Sequence, residues 1–279
     1  MHMTKVKDLL DKKVIGTGDV PEHFPDSIHY EVIMGSYAYG VSEGSSDLDI
    51  YGFAIPPKEI LFPSLAGYIP GFGQQPEKFE QWQMHHLVDE STEYDFSIYS
   101  IVKYFSLVMS NNPNMVDSLF VPDHCVLYES SIAKMIREKR LLFLHKGSYH
   151  TFKGYAYQQL SKLRVKNPTA GPRLESVQKY GYDVKFAYHI VRLIDEVDQI
   201  LNDTTLVLGR NAEDMKAVRN GEWSLERVEK FFEDKLAYLE KSYISSTLPH
   251  SPDEAKIKSL LLDCLEEHYG SLKDCGNFR

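Results

Sequence analysis

Cysteine is scarce. Cys125, Cys264 and Cys275 are the three in 279 residues, and no two are close enough to make a CxxC pair. An odd and scattered set excludes a disulfide framework and fits a reducing cytoplasm. No run of about 18 apolar residues occurs, so a membrane span and a membrane partner are not expected. The stretch Met1 to Val14 carries charges where a signal peptide needs an apolar centre. Positive charge is in deficit: 31 Lys and Arg against 40 Asp and Glu leave a net charge of −9. The chain as a whole therefore does not draw in nucleic acid non-specifically, although a local basic groove is compatible with that balance. Internal repeats and low-complexity tracts are absent too.

What is present is an apolar fraction of 43%, enough for a buried core in one large domain or two modest ones. The strand formers Tyr30, Val32 and Ile33 run into Gly35, and "DLDIYGFAIPP" predicts a second strand ended by Pro56-Pro57. Residues 58–81, rich in Gly, Pro, Gln and aromatics, predict a long loop. More strand material follows, then a helix carrying Ile98, Val102, Phe105 and Val108 and ended at Asn111-Asn112-Pro113. Beyond about Ser130 the pattern is helical. "GYAYQQLSKLRVK", "YDVKFAYHIVRLIDEVDQIL", "WSLERVEKFFEDKLAYLEKSY" and "SPDEAKIKSLLLDCLEEHYG" each predict a helix, the last with Ser251 as cap, Pro252 at its first position and Gly270 as stop. The stretch "NPTAGPRLESVQKYG" between the first two predicts a polar loop. The expected plan is an α+β domain over 1–145 and an all-helical domain over 146–279.

The chemistry concentrates in "MGSYAYGVSEGSSDLDIYGF", residues 34–53. Asp47 and Asp49, at i and i+2 on a strand, point the same way, and such oxygens converge on hard cations. Gly35-Ser36 follows a strand and opens a turn whose N–H groups can meet phosphate oxygens, with no Gly35 side chain in the way. A strand, a Gly-Ser turn and an Asp-x-Asp pair on a neighbouring strand supply triphosphate and metal binding together.

Gly35-Ser36 followed by Ser46-Asp47-Leu48-Asp49 resembles the signature of the polymerase-β nucleotidyltransferase superfamily. The likeness is closer to a bacterial and phage branch sometimes found beside RNA-repair ligases. Further matches to that branch are Tyr37-Ala38-Tyr39-Gly40, Gly52, Pro56-Pro57, Lys103-Tyr104-Phe105, Asn112-Pro113-Asn114, Gly181-Tyr182-Asp183, Lys185, His189 and Arg192-Leu193. Position 37 departs from it, with Tyr where the branch often has a basic or other polar residue.

The resemblance implies a small mixed sheet with helices, followed here by the helical domain closing a cleft. It implies transfer of a nucleoside monophosphate from an NTP, ATP among the candidates, to a hydroxyl, using two Mg²⁺ or Mn²⁺ ions. It also implies a third carboxylate on another strand, for which Asp95 fits best and Glu93, two residues away, is the runner-up. Asp47, Asp49 and Asp95 would be both catalytic and metal-binding. Gly35, Ser36 and Ser46, with Lys185, His189 and Arg192, would meet the nucleotide.

Lys185, His189, Arg192 and Glu196 make one polar stripe at helical spacing, which reads either as a solvated face or as the wall of a cleft. Tyr155, Gln159 and Lys162 read as sharing that cleft or as packing. Lys162, Arg164, Lys166, Arg173, Lys179 and Lys185 offer a local basic lane for an RNA or DNA end. The same chemistry could serve a small molecule or a protein side chain. A non-catalytic, antitoxin-like module is the third reading, against which the intact carboxylates stand. His85-His86 with His124 or Cys125 fits no standard zinc spacing, and strand alternation predicts that the two adjacent histidines point apart, so zinc is not expected.

Overall fold

A computed structural model describes residues 5–42, 47–74, 78–165 and 168–270. The architecture is α+β. Strands β1 (Ile28–Ile33), β2 (Leu48–Ala54), β3 (Gln81–Asp89), β4 (Thr92–Ser100) and β5 (Val126–Glu129) form one mixed sheet in the order β3-β4-β2-β1-β5. β2 and β4 are parallel and the other neighbours antiparallel. Short helices α1 (Val6–Asp11), α2 (Gly35–Ala38) and α3 (Lys58–Leu61) accompany the first strands, so the predicted 58–81 loop holds a helical turn. Next come α4 (Ile101–Met109), α5 (Pro113–Leu119) and α6 (Ser131–Glu138). The rest of the chain is helical: α7 (Gly147–Val165), α8 (Gly171–Tyr180), α9 (Val184–Asp203), α10 (Ala212–Arg219), α11 (Leu225–Ser245) and α12 (Glu254–Tyr269).

Alternation along β2 decides which groups face the core. Leu48 and Ile50 are fully buried, whereas Asp49 and Tyr51 lie on the half-buried face. Further along the face of Asp49 and Tyr51, Phe53 is fully buried, its ring centroid 5.0 Å from that of Tyr104 of α4 and 5.8 Å from that of Tyr30 of β1. β4 runs on to Ser100, whose hydroxyl caps α4 by accepting from Lys103 N. Asp95 is thus a mid-strand residue.

Two element predictions need correction. The supposed polar loop at 167–181 contains α8, entered through Gly171-Pro172 and closed by Gly181 in the left-handed region (φ +82°). Proline at the first turn and glycine just past the last are the helix boundaries expected physically. The last helix begins at Glu254, capped by Asp253 accepting from Lys256 N at 3.1 Å, so Ser251 and Pro252 precede it. Gly270 does end it.

α9 is the axis of the helical part, packed against α7, α8, α10 and α11. It is buried nearly all round, as a central helix must be. One continuous apolar core joins the sheet to these helices. α12 returns to the first half of the chain, where it packs against α6. There His268 meets His29 at 3.0 Å, and the Tyr269 hydroxyl donates to the Pro56 carbonyl.

Candidate active site

A cleft of about 920 Å³ opens between the β2–β4 face and helices α8, α9 and α10. Asp47, Asp49 and Asp95 line one wall. Asp47 stands exposed immediately before β2, while Asp49 and Asp95 are direct register partners on the parallel pair β2·β4. Neighbouring strands lie about 4.8 Å apart, so two carboxylates are forced together. The cost is visible at Asp49, whose pKa is raised by burial and then by the charge of Asp95, with Lys185 across the cleft acting in the opposite sense.

The turn at Gly35 is fitted to this pair. Met34 N donates to the Asp49 carbonyl at 2.7 Å, tying the turn to β2. Gly35 has φ +63°, and a Cβ there would fall 2.2 Å from Asp49 Oδ2. Only glycine allows both the backbone conformation and the carboxylate's position. Gly35 and Ser36 line the cleft; Ser46 lies outside the described residues.

The third-carboxylate alternatives separate clearly. Asp95 lines the cleft and accepts from His86 N at 2.8 Å. Glu93 is not among the lining residues, and its carboxylate meets His86 Nδ1 at 2.5 Å. The prediction that His85 and His86 point apart fails. Met84 pairs with Phe96 and Leu87 with Tyr94, so three steps on β3 match two on β4. Both histidines therefore oppose the single residue Asp95, in a bulge with His86 at φ +57°.

The facing wall is cationic. Arg173, Lys179, Lys185, His189, Arg192 and Arg219 all line it. His189 has its pKa pushed well down by burial and then by Arg192, Lys185, Arg173 and Arg219, so its imidazole is neutral among positive groups. Arg173 pairs with Asp183 at 3.2 Å, and Arg219 Nη1 donates to the Val41 carbonyl at 2.8 Å.

The polar stripe of α9 is neither a solvated face nor wholly a cleft wall. Lys185 is exposed and His189 half-buried, but Arg192 and Glu196 are buried. Arg192 donates to the Tyr39 hydroxyl and to Asn114 Oδ1, and lies 3.6 Å from both Asp117 and Glu196.

Tyr155, Gln159 and Lys162 do not line the cleft. The Tyr155 hydroxyl accepts from Asn112 Nδ2 at 3.1 Å. The basic lane divides as well. Arg164 pairs with Glu229 at 2.8 Å away from the cleft, Lys166 is outside the described residues, and Arg173, Lys179 and Lys185 reach the cleft. Arg219 had no sequence pattern to mark it as a site residue, while Tyr39 and Asn114 stood out only among the matches to the family branch.

Residues 13–267 match RlaP, the RNA repair pathway DNA polymerase beta family. The chain belongs to that family. Membership in RlaP gives the general class, a nucleotidyltransferase of the polymerase-β type, which agrees with the resemblance carried by Gly35-Ser36 and Asp47-x-Asp49. No curated protein matches the chain. The crystal structure of a nucleotidyltransferase-like protein from Exiguobacterium sibiricum is similar at 12% identity, covering 91% of this chain and 80% of that one. The TM-score is 0.30. No helix among the described residues is long and apolar enough to cross a membrane.

Proposed function

We propose that this RlaP protein transfers a nucleoside monophosphate from an NTP to the hydroxyl of an RNA end, releasing pyrophosphate. The observation that carries this reading is one cleft with Asp47, Asp49 and Asp95 on one wall and Arg173, Lys179, Lys185 and Arg219 on the other. A triphosphate needs both, because its oxygens demand positive partners and its reacting end must be held in line with the attacking hydroxyl. In this reading residues 1–145 supply the carboxylates and residues 146–279 the cationic wall.

The carboxylate wall fits a pair of Mg²⁺ or Mn²⁺ ions. Its donors are hard oxygens, and Asp49 and Asp95 are direct register partners on adjacent parallel strands, which brings their like charges together. Asp47, Asp49 and Asp95 would hold the ions, whose chemistry is to offset phosphate charge and favour the ionised nucleophile. The chain's own groups do the rest. Asp95 receives the proton of the attacking hydroxyl as its oxygen bonds to the α-phosphorus. The bond to the β-phosphate oxygen breaks, and the electron pair leaves with pyrophosphate. Lys185 and Arg219 face the departing charge, Ser36 and the Gly35 turn hold the phosphate chain, and the family description favours RNA as acceptor.

The test is incubation with Mg²⁺ or Mn²⁺, each labelled NTP in turn, and RNA, DNA or no acceptor. Extension of RNA is expected, with at least a hundredfold loss in Asp47→Asn, Asp49→Asn and Asp95→Asn and near-normal rates in Glu93→Gln. Label on DNA alone or on the protein itself would reassign the acceptor. Full activity in Asp49→Asn would remove the carboxylate assignment.

A further inference from the structure

We propose that the β3 bulge and the end of β4 form a second metal site, with His85, His86, Glu93 and Asp95 as donors, that takes a borderline first-row ion such as Zn²⁺ or Co²⁺. The site stands on geometry separate from the transfer reaction, and only Asp95 belongs to both.

The bulge makes the donor set. In a regular antiparallel pair one of two adjacent histidines would sit on the far face. The extra residue in β3 places both opposite Asp95. His85 Nδ1 lies 3.5 Å from Asp95 Oδ1, and His86 Nδ1 lies 2.5 Å from Glu93 Oε1. Ligand atoms of His86, Glu93 and Asp95 all fall within 4.8 Å of one another. A tetrahedral ion with bonds of about 2.1 Å sets its ligands roughly 3.4 Å apart. Small side-chain rotations therefore bring the atoms of His86, Glu93 and Asp95 into range, and His85, already 3.5 Å from Asp95, is the fourth donor the proposal adds.

Donor chemistry separates this site from the oxygen-only wall at Asp47 and Asp49. Two imidazoles with two carboxylates suit Zn²⁺ or Co²⁺, whereas Mg²⁺ prefers oxygen and keeps its waters. Access is open, since the His85 and His86 side chains are 53% and 81% exposed on the edge strand. The fixed points are backbone ones: His86 N already holds Asp95 Oδ1, so the bulge and the carboxylate move as a unit. An ion bound here draws on the same carboxylate that the reaction requires, which couples its occupancy to the active site.

The experiment titrates Co²⁺ into the full-length protein without nucleotide, following the visible absorption of tetrahedral Co²⁺, and then displaces it with Zn²⁺. The expected result is one equivalent bound in a background of millimolar Mg²⁺. Affinity should fall at least about tenfold in His85→Ala/His86→Ala and in Glu93→Gln, and stay within about twofold in Asp47→Asn. Circular dichroism shows that each variant is folded, and the single His86→Ala variant serves if the double one is not. A tetrahedral band that survives unchanged in the histidine variants, or no such band in the parent protein, overturns the proposal. Because no NTP is present, failure of the transfer reading leaves this result untouched, and loss of this site leaves nucleotide transfer to be judged on its own.

Discussion

Gly35 and Asp49 are one unit. The left-handed φ of Gly35 and the 2.2 Å that would separate a Cβ from Asp49 Oδ2 mean that any side chain at position 35 must displace the carboxylate or the turn. Gly35→Ala combines that clash with a strained backbone worth about 1–3 kcal/mol. The expected outcome is a folded protein with a Tm lower by several degrees and nucleotide transfer reduced at least a hundredfold, read by circular dichroism melts and single-turnover assay. The loss should sit in the rate of the bound complex, because the damage is to carboxylate position. Wild-type turnover in Gly35→Ala would mean that Asp49 does not work from the place it occupies here.

Among the elements, α9 shows how a helix can carry both chemistry and core. Its sequence announced an amphipathic helix, but spacing left the polar stripe open between a solvated face and a cleft wall, and the family resemblance alone put Lys185 and His189 beside the nucleotide. The burial of Arg192 and Glu196 was not legible, because it depends on Tyr39, Asn114 and Asp117, which lie far away in sequence and meet α9 only in the fold. The same limit hid α8 itself, although its Arg173 and Lys179 already stood in the basic lane: a stretch rich in Gly, Pro and polar residues reads as loop until its Pro172 start and Gly181 stop are taken as boundaries of a packed helix. The bulge at His85-His86 was invisible for a different reason, since period-2 alternation cannot register one extra residue. Gly35, Ser36, Asp47, Asp49 and Asp95, whose spacing is local to two adjoining strands or repeats a family signature, were legible.

The Arg192 cluster makes its own prediction. One guanidinium faces two buried carboxylates. Glu196, lacking the Tyr39 hydroxyl that Asp117 accepts from at 2.7 Å, is the one that keeps its proton, its pKa raised mainly by burial. Arg192→Ala leaves Asp117 buried without its cation and should cost about 3–5 kcal/mol in urea denaturation. Glu196→Gln imitates the protonated acid and should cost under about 1 kcal/mol. Equal losses in the two variants would contradict this distribution of charge.

At the scale of the whole molecule, α1 and α12, the first and last helices among the described residues, are fastened to β1 by titratable groups of opposite sense. Glu31 Oε1 accepts from Val6 N at 2.9 Å and so holds the start of α1, while His29 bridges Ser130 at 2.9 Å and His268 of α12 at 3.0 Å. Burial pushes Glu31 up to about 7, and burial aided by His268 pushes His29 down to about 4.

For Glu31 the folded state holds a proton that the unfolded chain has already released. Its stabilising contribution is therefore complete below the unfolded carboxyl value of about 4.5 and is lost as pH rises to about 7. For His29 the unfolded chain takes a proton that the folded state refuses. Its contribution is complete above the unfolded imidazole value of about 6.5 and is lost as pH falls towards about 4. Between about pH 4.5 and 6.5 the two slopes oppose each other. Each is at most about 1.4 kcal/mol per pH unit, that of His29 being smaller because part of its ring meets solvent.

Removing one group should therefore uncover the other. Glu31→Gln should gain stability relative to wild type as pH rises from 4.5 to 7 and then hold level. His29→Gln should gain relative to wild type as pH falls from 6.5 to 4. Urea denaturation of the three proteins at half-unit pH intervals measures both differences, and slopes of the same sign in the two variants would refute the assignment. If the slopes do oppose, α1 and α12 are held to the sheet by ties that weaken with pH in opposite directions. Acid should then loosen α12 first and a rise from about pH 4.5 towards 7 should loosen α1 first, which hydrogen exchange at the backbone amides of each helix would resolve.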